Sequence, residues 1–182
     1  MKPPYWIWHS KLSKTICETL MEESNNFSLP KEGFIHKDVL NTNVRKTTIR
    51  WAPLNHWIEG ILFNHALWAN NNAKWNFDVR YAQAVQIGKY DKDSHYDWHE
   101  DWFPLDDSGE DLRKISIVCL LNDPSEFTGG EFQFKLANAE ETVELKQGTI
   151  IAFPSFILHR VKPVTSGMRV SAVCWVVGDH TL

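Results

Sequence analysis

Two helical patterns followed by a succession of short strand patterns predict a mainly β fold with supporting helices (α+β). Closed on itself, such a chain forms a double-stranded β-helix, or jelly-roll, core buttressed by N-terminal helices. Two observations carry this expectation. Apolar residues recur at helical spacing only before residue 75. After it, β-branched and aromatic runs alternate with turn residues such as Asp106-Asp107-Ser108-Gly109, Gly129-Gly130 and Gln147-Gly148, the pattern of a sandwich or barrel.

The first helix is expected from Lys14 to about Ser24. Ser13 caps it, Ile16, Leu20 and Met21 share one face, and Asn25-Asn26 end it. Residues Ser28 to Asn43 read as irregular, and Thr47 to Trp51 as a short strand. A second helix is expected from Asn55 to about Asn70, with Trp57, Ile58, Ile61, Leu62, Ala66 and Leu67 at helical spacing and Asn70-Asn71-Asn72 as its stop. Strands are then expected over 75–79, 82–90, 95–100, 113–121, 131–136, 141–145, 149–153, 157–162 and 168–177. At 182 residues the chain is expected to be one domain, with 1–74 as helical support and 75–178 as the jelly-roll core.

Composition bounds the function. The chain is 43% hydrophobic and 23% charged, as globular domains are. A net charge of −4 argues against a non-specific nucleic-acid binder, which presents a basic face. Nine tryptophans are many for this length. Trp6, Trp8, Trp51, Trp57, Trp68 and Trp75 are expected to fill an N-terminal core, with a rim around a substrate groove as the alternative. Cys17, Cys119 and Cys174 are few, odd in number and without a CxxC, so buried free thiols in a reducing, cytoplasmic setting are expected. The N-terminal stretch has no apolar run of a secretory signal, and no segment reaches the roughly 18 apolar residues of a membrane span.

The residues that carry chemistry are His99-Glu100-Asp101, His159 and, ten positions later, Arg169. A His-x-Asp pair with a distant His can form the 2-His-1-carboxylate face of a non-heme Fe(II) site, leaving the opposite face open. A guanidinium fork nearby suits a bidentate carboxylate. Together they suggest oxidation driven by a 2-oxo acid. The pattern is ambiguous by itself, because His95-Tyr96-Asp97 is also a His-x-Asp, and on a regular strand 95, 97, 99 and 101 share one face. A zinc hydrolase is disfavoured: His95 and His99 have the spacing of H-E-x-x-H, but Tyr96 stands where the glutamate belongs, on a strand rather than a helix.

From Tyr90 to Trp175 the chain resembles the prolyl 4-hydroxylase-like branch of the 2-oxoglutarate/Fe(II) dioxygenases. Four blocks carry the resemblance: Tyr90…Tyr96-Asp97-Trp98-His99-Glu100-Asp101; Arg113-Lys114-Ile115-Ser116-Ile117…Leu121-Asn122; Gly129-Gly130-Glu131-Phe132; and Gly148-Thr149…Phe153-Pro154…His159-Arg160-Val161…Gly167-Met168-Arg169-Val170-Ser171…Trp175. The resemblance selects His99/Asp101 over His95/Asp97. It implies that His99, Asp101 and His159 bind Fe(II), that Arg169 pairs with the distal carboxylate of 2-oxoglutarate, and that Tyr90 donates to the same carboxylate. Leu120 stands where some relatives have a second tyrosine. Trp175 is expected in the pocket wall. The implied reaction consumes 2-oxoglutarate and O2, gives succinate and CO2, and hydroxylates a C–H bond, with ascorbate as reductant.

The target is less legible. Asp91, Asp93, Asp97, Glu100, Asp106, Asp107, Glu110 and Asp111 are acidic positions around the motif. They read as solvated turns or as a rim that favours a neutral or basic peptide. Trp98 and Trp102 are candidate lips over a prolyl ring, and Arg113 a candidate substrate anchor. A peptide or protein substrate is expected, prolyl by analogy. Nucleic-acid oxidation, small-metabolite oxidation and a non-catalytic metal- or partner-binding jelly-roll remain the alternatives.

Overall fold

The computed structural model describes residues 2–33, 41–102 and 111–179. The turn at 106–109 and the acidic residues Asp106, Asp107 and Glu110 lie outside them, as do residues 34–40 of the Ser28–Asn43 stretch that reads as irregular.

Helix α1 is Lys14–Glu23, and the Ser13 hydroxyl accepts from the Ile16 N–H at 3.3 Å as expected of its cap. Its buried face is Cys17 and Leu20 rather than the expected Ile16, Leu20 and Met21, since Ile16 is 37% exposed. Helix α2 is Trp57–Asn72, with His56 as N-cap. Ile58, Leu62, His65, Ala66 and Ala69 line its buried face. Trp57 points outward, one position off the inner face.

Among the described residues the strands in chain order are β1 (Trp6–Trp8), β2 (Lys31–Glu32), β3 (Arg45–Lys46), β4 (Thr48–Trp51), β5 (Tyr81–Ala82), β6 (Gln86–Tyr90), β7 (His95–His99), β8 (Asp111–Leu120), β9 (Phe127–Gly129), β10 (Phe132–Leu136), β11 (Ala139–Val143), β12 (Ile150–Pro154), β13 (His159–Val161), β14 (Val164–Gly167) and β15 (Arg169–Asp179). One sheet runs β1-β12-β8-β15-β6-β4-β2, with β5 also on β15. A second runs β11-β10-β13-β7-β3, and β14 pairs β9 separately. All pairings are antiparallel.

The period of two along the large sheet sorts residues between two cores. Ile115, Ile117 and Cys119 of β8, Ile150 and Ala152 of β12, and Ala172, Cys174 and Val176 of β15 face the helices, where they pack with Cys17, Leu20, Ile58 and Leu62. The alternate residues Val118, Ile151 and Phe153 face the second sheet and pack with Phe132, Phe134, Val143 and Val161. Arg169, Ser171, Val173 and Trp175 lie on this inner register of β15, as do Gln86 and Tyr90 on β6. The large sheet is therefore covered on one face by the helices and on the other by the second sheet.

Several boundaries differ from expectation. Residues 75–79 form no strand: Lys74 and Asn76 adopt left-handed φ of 56° and 60°, and the Asn70 side chain holds both the N–H and the C=O of Phe77. The expected strand 82–90 breaks between β5 and β6, because the Gln83 N–H turns to the Trp175 carbonyl and the Val85 carbonyl to the Ala52 N–H. The expected 157–162 shortens to β13, and 141–145 shifts to β11. β1, β2, β3, β9 and β14 are additional, each only two to four residues long. The first 74 residues thus supply strands to both sheets as well as the helices. Of the six N-terminal tryptophans, Trp75 enters the core, Trp6 and Trp8 pack partly against it, and Trp57 and Trp68 are 39% and 52% exposed.

Gly148 closes the link between α1 and the sheet. Its φ is +75° and a Cβ there would meet the Leu12 carbonyl at 1.9 Å, so only glycine lets the Leu12 N–H reach the Gly148 carbonyl at 3.0 Å.

Candidate active site

Three donor side chains converge between the sheets. One ligand atom from each of His99, Asp101 and His159 lies within 4.8 Å of the other two. His99 Nε2 is 3.7 Å from Asp101 Oδ1, and His159 Nε2 is 3.5 Å from Asp101 Oδ2. His99 and His159 face each other as register partners across β7 and β13.

The local backbone explains why His99 and not His95 faces inward. Between the pairs His99/His159 and Tyr96/Val161, β7 has three steps where β13 has two, which is a β-bulge. The bulge places Tyr96 and His99 on the same side. The regular alternation that grouped 95, 97, 99 and 101 therefore fails here. His95 instead meets the carbonyls of Asp93 and Asn43 at 3.1 Å each, and the exposed Asp97 carboxylate accepts from the Trp98 N–H at 2.8 Å.

Each imidazole is oriented by the same device. The His99 Nδ1 donates to the Asp97 carbonyl at 2.7 Å, and the His159 Nδ1 donates to the Ile157 carbonyl at 2.8 Å. This assignment puts the proton on Nδ1 and leaves an Nε2 lone pair toward Asp101. Asp101 is held in turn: its Oδ2 accepts from the Ser116 hydroxyl at 2.7 Å, Ser116 shares a hydrogen with Ser155 at 2.9 Å, and the Asp101 N–H donates to the Ser155 carbonyl at 2.8 Å. Among the described residues no hydrogen bond reaches Oδ1, whose lone pairs suit a cation.

Charge states follow from these surroundings. Burial, reinforced by His159, pushes His99 down to about 3, so it is a neutral donor at neutral pH. Burial raises Asp101, but His159, His99, Arg113 and the Ser116 hydrogen bond outweigh it and hold the carboxyl at about 2. Two neutral-capable imidazoles and one carboxylate form a hard-to-borderline donor set suited to a divalent first-row ion. This predicts acid lability of the metal-free protein. Unfolded His99 takes up a proton below its ordinary 6.5 that the folded form refuses until about 3. Unfolded Asp101 likewise protonates near 3.8 and the folded form only near 2. In both cases the unfolded state binds more protons, so stability falls as pH drops from about 6.5 to 2. A melting series on metal-free protein checks this: Tm should decline below pH 6.5, and His99→Gln should flatten the upper part of that decline. A wild-type slope that His99→Gln leaves unchanged would contradict it.

Beside the triad lies a narrow cleft with a cavity of about 30 Å³. Its walls are Val118, Phe132, Val161, Val173 and Trp175, with Arg169 at the start of β15 beside its register partner Tyr90. Arg169 is 2% exposed. Its Nη1 donates to Ser171 Oγ at 3.0 Å, its guanidinium lies 5.4 Å from the Tyr90 ring, and its buried Nη2 has no hydrogen-bond partner among the described residues. A buried cationic N–H without an acceptor costs several kilocalories unless an anion meets it. Gly130 makes room for this arm, since a Cβ there would meet Arg169 Cδ at 3.0 Å. Trp175 Nε1, also on the cleft, is likewise buried and unpartnered among the described residues.

The remaining sequence candidates lie elsewhere. Trp98 packs under the Arg160 guanidinium at 4.3 Å and Lys135 at 5.9 Å, and Trp102 packs edge-on against Phe156 at 5.6 Å. Neither is among the residues that line the cleft. Arg113 stacks at 3.9 Å over the Trp175 ring and donates to Gln83, one layer behind the wall. Sequence reasoning missed Ser116, Ser155, Gln86 and Arg45. Ser116 lies within the second motif block, where only its strand position stood out. Arg45 comes from β3, whose two residues carry no periodic signal.

Comparison with known proteins agrees with this geometry. Residues 85–177 match the family described as the 2OG-Fe(II) oxygenase superfamily. The chain is 32% identical over 136 residues to a PKHD-type hydroxylase of Acaryochloris marina, covering 75% of this chain and 58% of that protein. It is 37% identical over 98 residues to a PKHD-type hydroxylase of Xylella fastidiosa, covering 50% and 43%. The chain thus spans about half the length of the curated relatives it matches. Among solved structures, a viral collagen prolyl hydroxylase from Paramecium bursaria Chlorella virus-1 superposes with a TM-score of 0.73 at 23% identity, covering 97% of both chains. A Pseudomonas putida prolyl-4-hydroxylase superposes with 0.71 at 20% identity, covering 95% of this chain and 91% of that one. At such identity the likeness is one of fold, the expected double-stranded β-helix.

Proposed function

Because the chain belongs to the 2OG-Fe(II) oxygenase superfamily, we propose that it is a 2-oxoglutarate-dependent hydroxylase acting on a peptidyl residue, with proline as the first candidate. The observation that carries this reading is the pairing of the His99/Asp101/His159 donor set with the unpartnered Nη2 of Arg169 in one cleft. The donor set fits Fe(II), and the orphaned guanidinium fits the distal carboxylate of 2-oxoglutarate.

In this reading His99 Nε2, Asp101 Oδ1 and His159 Nε2 hold Fe(II). Arg169 clamps the far carboxylate of the co-substrate through Nη2, and Tyr90, its register partner on β6, adds a hydroxyl donor to the same end. Fe(II) with 2-oxoglutarate and O2 supplies the oxidising power, releasing succinate and CO2 as one oxygen atom enters the target C–H bond. The chain's own work is orientation and exclusion. Asp97 and Ile157 carbonyls hold the imidazoles in one tautomer, Ser116 and Ser155 hold Asp101, and the apolar side chains of Val118, Phe132, Val161 and Val173 keep water from the reacting face. Ascorbate would serve as reductant for oxidised iron.

The peptide assignment draws on two supports. The names of the relatives include prolyl hydroxylases, one of them in complex with a peptide fragment of hypoxia inducible factor. The exposed Asp97 and Glu100 border the motif with negative charge, which favours a neutral or basic peptide over a phosphate backbone. Trp98 and Trp102 are the proposed outer contacts for such a peptide, with Arg113 supporting the Trp175 wall rather than touching the peptide. Three buried free cysteines suit a reducing, cytoplasmic setting. No described helix is long and apolar enough to cross a membrane.

The test is a panel of proline-containing peptides incubated with Fe(II), 2-oxoglutarate, ascorbate and air, followed by mass spectrometry. A gain of one oxygen on a prolyl residue, stoichiometric with succinate, is the expected result. Coupled turnover with a free amino acid or a nucleobase and none with any peptide would sink the peptide assignment.

A further inference from the structure

The two imidazoles of the triad are supported in different ways, and the difference points to a residue outside every motif of the family resemblance. His159 stands among apolar rings: Phe153 at 4.7 Å, Phe132 at 5.8 Å and Phe134 at 6.5 Å between centroids. His99 sits nearer the edge of the second sheet, with a side chain 13% exposed against 5% for His159. Among the described residues it has no phenylalanine wall. One face of its ring is covered instead by Tyr96, parallel within 7° at 3.4 Å. Arg45 faces Tyr96 across β3 and β7 and lies 4.5 Å over the Tyr96 ring.

Arg45 is itself tightly placed. Its Nε donates to Thr47 Oγ1 at 2.9 Å and its Nη2 to Gln86 Oε1 at 2.7 Å. Arg45 belongs to the second sheet and Gln86 to the large one, so this guanidinium ties the two layers together beside the metal ligands. Gly33 seals it from outside: a Cβ at Gly33 would fall 2.4 Å from Arg45 Nε. A backbone kept free of side chain, a bridge between sheets and two stacked planes converge on one imidazole.

Resting on the metal site proposed above, we infer that Arg45 and Tyr96 are a positioning pair for His99. The Asp97 carbonyl sets the direction of the imidazole through Nδ1. A single hydrogen bond leaves the ring free to tilt about that axis. The Tyr96 face removes the tilt, and Arg45 holds Tyr96 in place by cation–π contact. Nε2 is thereby aimed at the point shared with Asp101 Oδ1 before any metal arrives. The role belongs to the aromatic plane, not to the Tyr96 hydroxyl.

The test is anaerobic calorimetric titration of the full chain with Fe(II) alone, without 2-oxoglutarate, with melting curves of each metal-free variant alongside. Groups that orient a ligand are typically worth about 10–100-fold in metal affinity. Tyr96→Leu should weaken Fe(II) binding by roughly tenfold or more, whereas Tyr96→Phe, which keeps the plane, should stay near the wild type. Arg45→Lys keeps the charge but loses the planar fork, and should weaken binding several-fold. It carries the test alone if Tyr96→Leu does not fold. Wild-type affinity in Tyr96→Leu or, failing its folding, in Arg45→Lys would overturn the inference, as would a Tyr96→Phe loss equal to that of Tyr96→Leu. A wild type that binds no divalent metal would sink the proposed function and this inference with it. Tight wild-type binding with unaltered variants would sink the inference alone.

Discussion

Asp101→Ala is expected to abolish Fe(II) binding and turnover while leaving the metal-free fold intact. Asp101 is 4% exposed and is the carboxylate shared by both imidazoles. Its removal leaves two neutral nitrogens and no anion for a divalent ion, so the ligand charge that offsets the ion's desolvation is gone. Even partners behind the ligands are typically worth about 10–100-fold in metal affinity. Loss of a ligand itself should exceed about a hundredfold. The truncation is tolerable to the fold because Ser116 Oγ, which donates to Asp101, keeps Ser155 Oγ at 2.9 Å as a second partner. Anaerobic Fe(II) titration and a melting curve on one sample separate the two effects. Affinity close to that of wild type would contradict the ligand assignment.

Arg169→Met should stabilise the metal-free protein and destroy co-substrate binding. Burial pushes the Arg169 guanidinium below its usual pKa, and no described carboxylate reaches it: it meets Ser171 Oγ and the Tyr90 ring. A buried donor left unsatisfied costs about 1–3 kcal/mol, so an apolar side chain of similar length should raise stability by that order. The same change would remove the proposed charge-assisted pair to a 2-oxoglutarate carboxylate. Each hydrogen bond to a charged group is worth about 1.5–3 kcal/mol. Without the Nη2 clamp, the Kd of 2-oxoglutarate should rise by roughly 10–10²-fold. Fe(II) affinity should change little. Urea unfolding and 2-oxoglutarate titration of the Fe(II)-loaded variant read both halves. A less stable variant that still binds 2-oxoglutarate as tightly as wild type would contradict this role.

The parts of the site visible in the sequence are those governed by alternation. β8, β12 and β15 run five residues or more, and their period of two sends Arg169 and Trp175 inward with Tyr90 of β6 while Ile117, Cys119 and Cys174 face the helices. The choice between His95/Asp97 and His99/Asp101 is not visible in alternation, because a bulge between residues 96 and 99 breaks the period just there. It is visible in the family pattern around Tyr90 and Tyr96. The strand expected at 75–79 fails because left-handed Lys74 and Asn76 and the Asn70 clamp on Phe77 override β propensity. Arg45 is invisible for a third reason. It reaches Tyr96 and Gln86 from a two-residue strand far back in the chain, and nothing local marks a pairing of that range.

The most direct test of the central claim is succinate formation from 2-oxoglutarate with Fe(II), ascorbate and air, measured alongside Fe(II)-dependent 2-oxoglutarate binding in wild type, His159→Ala and Arg169→Met. Succinate release or Fe(II)-dependent binding by the wild type, with both lost in the two variants, is the predicted result. A wild type that neither turns over nor binds 2-oxoglutarate in an Fe(II)-dependent way would contradict the account and leave a jelly-roll that binds something else.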